Sequence, residues 1–194
     1  MILKVIRTFI AIELKNKSTI DNILDFCNRL KQNQPKIKLV EPENLHLTIK
    51  FLGNIPEQQA PKIYAILTEE INKLYFPDKN YNYTLKGVGQ FRKFSVIWIK
   101  VLGNIQIIQD AKNMLEELLY TRLGIKRDNR PKFQPHLTIG RLRKEKINYK
   151  NFNSLKNLIE TNKNKDFGTF SITGIKLKKS QLTPKGPIYT DLKY

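Results

Sequence analysis

The stretch Val40-Glu41-Pro42-Glu43-Asn44-Leu45-His46-Leu47-Thr48-Ile49-Lys50-Phe51-Leu52-Gly53 decides the reading, because its tetrapeptide His46 to Ile49 returns as His136 to Ile139. The chain holds two histidines, 90 residues apart, and both open the sequence His-Leu-Thr-Ile. Each copy sits in an apolar-rich run that turn residues interrupt, Glu41 to Asn44 and Gly53-Asn54 around the first, Asn129 and Pro131 before the second. Side chains alternate across a strand, so His46 and Thr48 share one face while Leu47 and Ile49 take the other, and His136 and Thr138 repeat the arrangement. Each motif sets an imidazole beside a hydroxyl and backs both with core.

Working outward, Val5 to Leu14 reads as a strand, and Ser18 to Lys31 as an amphipathic helix with Ser18 as its cap. A second helix is expected from Pro56-Glu57 to about Leu74, then strands Tyr81 to Phe91 and Ser95 to Val101 around the turn Arg92-Lys93. Asn104 to Leu123 carries the most regular helical spacing, and Gly124 stops it. Phe133 to Leu142 is the strand of the second motif. A short helix at Phe152 to Glu160, a strand from Phe167 to Lys178, a turn at Thr183 to Pro187 and a last strand near Ile188 to Leu192 close the chain. The class is α+β with mainly antiparallel sheets, and 194 residues fit one domain, or one domain of two intimately packed lobes.

Lys and Arg number 35 against 17 Asp and Glu, a formal net charge of +18, which favours polyanionic partners such as nucleic acid. Abundant Lys, Ile and Asn throughout offer a compositional explanation for part of that charge. The single cysteine, Cys27, excludes an intramolecular disulfide framework and suits a reducing cytoplasm, and its neighbours Leu24, Phe26 and Leu30 mark it as a core thiol. The opening MILKVIRTFIAIEL is interrupted by Lys4, Arg7 and Glu13 before it reaches the length of a signal-peptide core or a membrane span.

An internal pseudo-twofold relating the two motifs would converge two imidazoles and two hydroxyls on one cleft, a set suited to in-line displacement at phosphorus. One histidine deprotonates the nucleophile and the other protonates the leaving oxygen. An unperturbed pKa of about 6.5 lets one ring be neutral and the other protonated near neutrality. A lone histidine on an apolar strand is more often structural, whereas two in identical contexts favour function. Zinc is the competing reading, but two histidines and a helical cysteine, without paired His spacing, supply too few ligands.

These residues resemble the two-histidine phosphoesterase superfamily, in particular its RNA 2′,3′-cyclic phosphodiesterase branch, historically called 2′-5′ RNA ligase. The likeness also rests on Arg7-Thr8-Phe9-Ile10-Ala11-Ile12, Pro135-His136-Leu137-Thr138 and the stretch Lys179 to Tyr189. The resemblance implies a bilobal α+β fold of one domain over residues 1–194, helices outside, and a central cleft between pseudo-twofold-related motifs. It implies hydrolysis of an RNA terminal 2′,3′-cyclic phosphate to a 2′-phosphomonoester, with no metal or other cofactor; separately, a cytoplasmic monomer without a membrane partner is expected. Carried over by position, His46 is the acid and His136 the base, roles that can be exchanged, and Thr48 and Thr138 bind phosphate. Arg141 matches a phosphate-clamping arginine, against the alternative of a solvent-exposed charge. Phe51 matches an aromatic that stacks on the terminal base, against a plain core aromatic. Arg122, Lys126, Arg127, Arg130 and Lys132 form a basic approach to the second motif. Replacing water by an RNA 5′-hydroxyl turns the same chemistry into 2′-5′ ligation. The other function classes are a non-catalytic RNA-end-binding module and a phosphodiesterase of small cyclic nucleotides.

Overall fold

The computed structural model describes residues 4–77, 81–129, 133–184 and 186–194. Met1 to Leu3 of the opening stretch, Arg130, Pro131, Lys132 and Lys185 lie outside the described residues.

The strands are β1 (Val5–Glu13), β2 (Lys38–Leu39), β3 (His46–Pro56), β4 (Tyr81–Phe91), β5 (Val96–Leu102), β6 (His136–Arg141), β7 (Asp166–Ile172), β8 (Lys176–Leu182) and β9 (Pro187–Asp191). They form a sheet in the order β7-β4-β5-β6-β3-β1-β8-β9, with β2 added to β6, and every pairing is antiparallel. Read outward from its middle, the sheet runs β6-β5-β4-β7 on one side and β3-β1-β8-β9 on the other. The two motif strands are therefore the central pair. Among the described residues they pair at Leu47 and Leu137, the same position of the two motifs.

Helix α1 (Lys17–Asn33) packs on β7 and β6 beside α5 (Phe152–Thr161). On the other half lie α2 (Ala60–Ala65), a π-helical run (Ile66–Asn72), α3 (Lys73–Tyr75) and α4 (Ile105–Leu123). The expected second helix is thus continuous in sequence but changes winding in its middle, where Thr68 Oγ1 donates back to the Tyr64 carbonyl. Gly124 ends α4 with φ of 66°, the left-handed conformation that its missing Cβ permits, and its N–H donates to the Tyr120 carbonyl. The core runs between helices and sheet. Ile10, Ile49, Ile139 and Leu115 have no exposed surface, and Leu47 and Leu137 have 1% each.

Three local expectations are corrected. Asn16, not Ser18, caps α1: its Oδ1 accepts the Thr19 N–H at 3.0 Å, while Ser18 Oγ only donates to that same oxygen. The strand Phe167 to Lys178 is two strands, because β7 pairs with β4 and β8 with β1 in the opposite half of the sheet. Gly174, with φ of 155°, lies in the crossing, and the Asn72 side chain holds both the N–H and the carbonyl of Ile175 there. The second motif's strand is also shorter than expected, beginning at His136 itself.

Candidate active site

The Leu47–Leu137 pair fixes the geometry of the site. Both leucines are buried, so the residues on either side of each point to the opposite face. Continued by one residue in each direction, this antiparallel register sets His46 across from Thr138 and Thr48 across from His136. Cross-strand neighbours of this kind have Cβ atoms about 4.5–5.5 Å apart. Two imidazoles and two hydroxyls therefore form one patch, with each histidine beside the other motif's threonine.

The flanking strands repeat the relation. Glu13, Ile12 and Ala11 of β1 pair with His46, Leu47 and Thr48, as Lys100, Ile99 and Trp98 of β5 pair with His136, Leu137 and Thr138. Both pairings then slip at the same place. Ala11 faces Thr48 but Ile10 faces Lys50, and Trp98 faces Thr138 but Ile97 faces Gly140. Ile49 and Ile139 are thus the extra residues of two β-bulges. In a regular strand the fifth residue after each histidine would point away from it. The bulge resets the alternation: Ile49 and Lys50 are buried in succession, as are Ile139 and Gly140, and Phe51 and Arg141 return to the exposed face of the histidines.

Each ring is oriented in the same way. His46 Nδ1 lies 2.6 Å from the Asn44 carbonyl, and His136 Nδ1 lies 2.6 Å from that of Gln134. A carbonyl only accepts, so Nδ1 carries the hydrogen and the neutral ring presents its lone pair at Nε2. Aromatic rings fix the planes. Phe9 and Tyr189 stand 5.0 and 5.4 Å from the His46 centroid, and Phe91 and Trp98 stand 5.0 and 5.9 Å from that of His136. Trp98 fits because Gly89 lies under it; a Cβ there would come within 2.3 Å of the indole.

Burial holds the His46 pKa below its ordinary value, and the charges of Lys178, Arg141 and His136 act in the same direction, against the Asn44 hydrogen bond. Arg141 and His136 thus lie close enough to act on His46 from the other motif's strand. Behind His46, Lys176 and Lys178 interlock with Glu13 and Asp191 through four ion pairs of 2.5–2.8 Å. Burial pushes the Asp191 carboxyl up, but the lysine hydrogen bonds outweigh it and hold the pKa at about 2.

All six residues expected from the sequence, His46, Thr48, Phe51, His136, Thr138 and Arg141, share this face. Phe51 is 59% exposed, which removes the reading as a core aromatic, and it adjoins Phe9 at a centroid distance of 6.4 Å. The sequence assigned no role to Phe9, Tyr189, Phe91, Trp98, Lys178 or Glu13. Phe9 and Tyr189 lie in stretches that carried the family likeness, but their approach to His46 depends on a sheet order that the sequence does not spell out. Cys27 is buried, and burial pushes its thiol up to about 12, leaving it inert. Among the described residues no group of three or more His, Cys, Asp or Glu side chains gathers to hold a metal ion. No described helix is long and apolar enough to cross a membrane.

Known proteins share both the sequence pattern and the fold. The RNA 2′,3′-cyclic phosphodiesterase of Methanocaldococcus jannaschii is 37% identical over 96% of this chain and 98% of its own. That of Methanothermobacter thermautotrophicus is 30% identical over 96% of each chain. The crystal structure of E. coli LigT complexed with 3′-AMP shares the fold, with a TM-score of 0.67 at 23% identity over 98% of this chain and 96% of that one. The family model described as the AKAP7 2′5′ RNA ligase-like domain matches residues 8–191, and the chain belongs to that family.

Proposed function

We propose that this protein hydrolyses the 2′,3′-cyclic phosphate at an RNA 3′ end to a 2′-phosphomonoester, without a metal, as a cytoplasmic monomer. The observation that carries the reading is the central strand pair. It gathers on one face two imidazoles, each with Nδ1 against a backbone carbonyl, two hydroxyls and one guanidinium. Relatives that bear the phosphodiesterase name over nearly their whole length support it.

Water attacks phosphorus in line with O3′. One Nε2 takes the water proton, the P–O3′ bond breaks, and the other ring gives O3′ its proton. Thr48 and Thr138 donate to the non-bridging oxygens, and Arg141 neutralises the charge that develops on them. Burial and the neighbouring positive charges disfavour the protonated His46 ring, which suits a proton acceptor, so we assign His46 the base role and His136 the acid role, the exchange of the family-derived order. Phe51 offers its face to the terminal base. An RNA 5′-hydroxyl in place of water reverses the chemistry into a 2′-5′ link at the same site.

The test is incubation of a cyclic-phosphate RNA dinucleotide in EDTA with product analysis by ³¹P NMR. A 2′-phosphomonoester is expected. Persistent cyclic ends overturn the reading, and if they accompany tight, salt-dependent RNA binding they select the non-catalytic end-binding module.

A further inference from the structure

Phe51 also lines an open groove of about 650 Å³. One wall is β3 beyond the first motif, from Phe51 to Pro56; the other is the loop 124–129 that leads toward the second motif, and Arg92 also lines the groove. Its lining has the basic residues Lys50, Arg92, Lys126 and Arg127 against one carboxylate, Asp128. Two of these cations are already engaged. Arg127 pairs with Glu117 and lies over the Tyr120 ring, and buried Lys50 pairs with Glu116. Arg92 and Lys126 are exposed, and among the described residues neither side chain has an ion pair or hydrogen bond.

Both are held in place by structure that is costly to build. Arg92, Lys93 and Phe94 all have left-handed φ, of 51°, 52° and 69°, in a turn without glycine that Gln90 ties by accepting the Phe94 N–H. The loop backbone is clipped to a buried ion triad: Lys50 Nζ donates to the Lys126 carbonyl at 2.9 Å, and Glu116 accepts the Asp128 N–H at 3.0 Å while bonding both Lys50 and Lys112. A buried triad contributes little net stability, so its service here is geometric, fixing the groove wall with the Lys126 side chain outward.

We infer that this groove is the subsite for the nucleotide immediately 5′ of the cyclic end, whose phosphodiester lies between Arg92 and Lys126. The inference rests on the RNA reading above and extends it: the protein distinguishes an RNA end from a free cyclic mononucleotide. Phe51 is the divider, with the terminal base on its cleft side and the chain leaving past it.

The experiment compares kcat/KM for adenosine 2′,3′-cyclic phosphate and for the diadenosine dinucleotide with the same end, in the full chain and in Arg92→Ala/Lys126→Ala. Wild type should favour the dinucleotide by about tenfold or more, and the double variant should lose most of that ratio. A wild-type ratio near one, or a ratio the variant leaves unchanged, overturns the subsite while leaving the phosphodiesterase reading intact. Turnover of neither substrate overturns the phosphodiesterase reading instead. Anisotropy of a labelled tetranucleotide ending in a 2′-phosphate then decides the groove alone. The double variant should reduce the slope of log Kd against log salt by about 0.7 for each phosphate it no longer neutralises; an unchanged slope and affinity reject the subsite. Arg92→Gln/Lys126→Gln, which keeps the side-chain stems, should behave as the alanine pair does.

Discussion

Strands β3 and β6 carry the same tetrapeptide, the same bulge and the same histidine-to-carbonyl bond, yet they part company at the next two residues. Lys50 and Phe51 on one strand stand where Gly140 and Arg141 stand on the other. The shared part is what proton transfer needs, since an acid and a base of like chemistry are both made from an oriented imidazole. The divergent part sets a cation on the β6 side, where the proposed reaction needs a phosphate partner, and an exposed aromatic on the β3 side, the proposed support for a base. Removing the shared part has the largest expected effect. His46→Ala and His136→Ala should each reduce kcat on the order of 10²–10⁴-fold while the fold is retained by circular dichroism. A variant that keeps near-wild-type turnover breaks the equivalence of the two motifs.

The residue four beyond each histidine faces the core in both strands, with opposite consequences. Gly140 leaves room for Ile37, whose Cδ1 would lie 3.0 Å from an added Cβ. Lys50 instead buries a charge, at 2% exposure, and recovers it through Glu116 and the Lys126 carbonyl. Lys50→Met should cost about 3 kcal/mol in urea unfolding, the low end for breaking a buried pair, because Lys112 and the Asp128 N–H still serve Glu116. Gly140→Ala should cost about 1 kcal/mol, since the end of the Ile37 side chain can move. The reverse order would mean that the β3 triad is not what holds the loop 124–129.

These two positions also show where the sequence stops being legible. Periodicity and turn residues place the helices and most strands, and the repeated tetrapeptide singles out four candidate residues that the register gathers on one face. Strict alternation, however, sends Phe51 and Arg141 into the core, and nothing in Thr-Ile-Lys or Thr-Ile-Gly announces the bulge that turns them back. The slip shows only in the pairing with the partner strands β1 and β5. Lysines are read as surface by default, so the burial of Lys50 and Lys178, each defined by acids distant in sequence, goes unseen. The same holds for Tyr189, whose ring reaches His46 although two strands, β1 and β8, stand between β9 and β3.

At the fifth position the contrast can be measured directly. Arg141→Ala removes a charged partner of phosphate and should reduce kcat/KM by about 1.5–3 kcal/mol, on mononucleotide and dinucleotide alike. Phe51→Ala should lose about 1–3 kcal/mol, appearing in KM more than in kcat, because stacking holds the base in ground state and transition state equally. If Phe51→Ala reduced kcat and left KM unchanged, the ring would be supporting the His46 cage through Phe9 and not the substrate.

The smallest effect separates the two histidines themselves. Around His46, burial first and then the charges of Lys178, Arg141 and His136 disfavour the protonated ring. The pH profile of kcat/KM reports the free enzyme, so a base at His46 should place the ascending acidic limb below the ordinary imidazole range. Lys178→Gln removes one of those positive charges and leaves Glu13 and Asp191 less compensated, so both changes favour the imidazolium and the limb should move to higher pH. Stability carries the same sign. A histidine kept neutral in the fold binds its proton more readily when unfolded, so stability falls as the pH drops through the ordinary imidazole value, and Lys178→Gln should flatten that part of the curve. A descending limb at low pH that Lys178→Gln moves upward would instead make His46 the proton donor, and the asymmetry of the two strands would then run in the opposite direction, with the neutral acceptor on the arginine side.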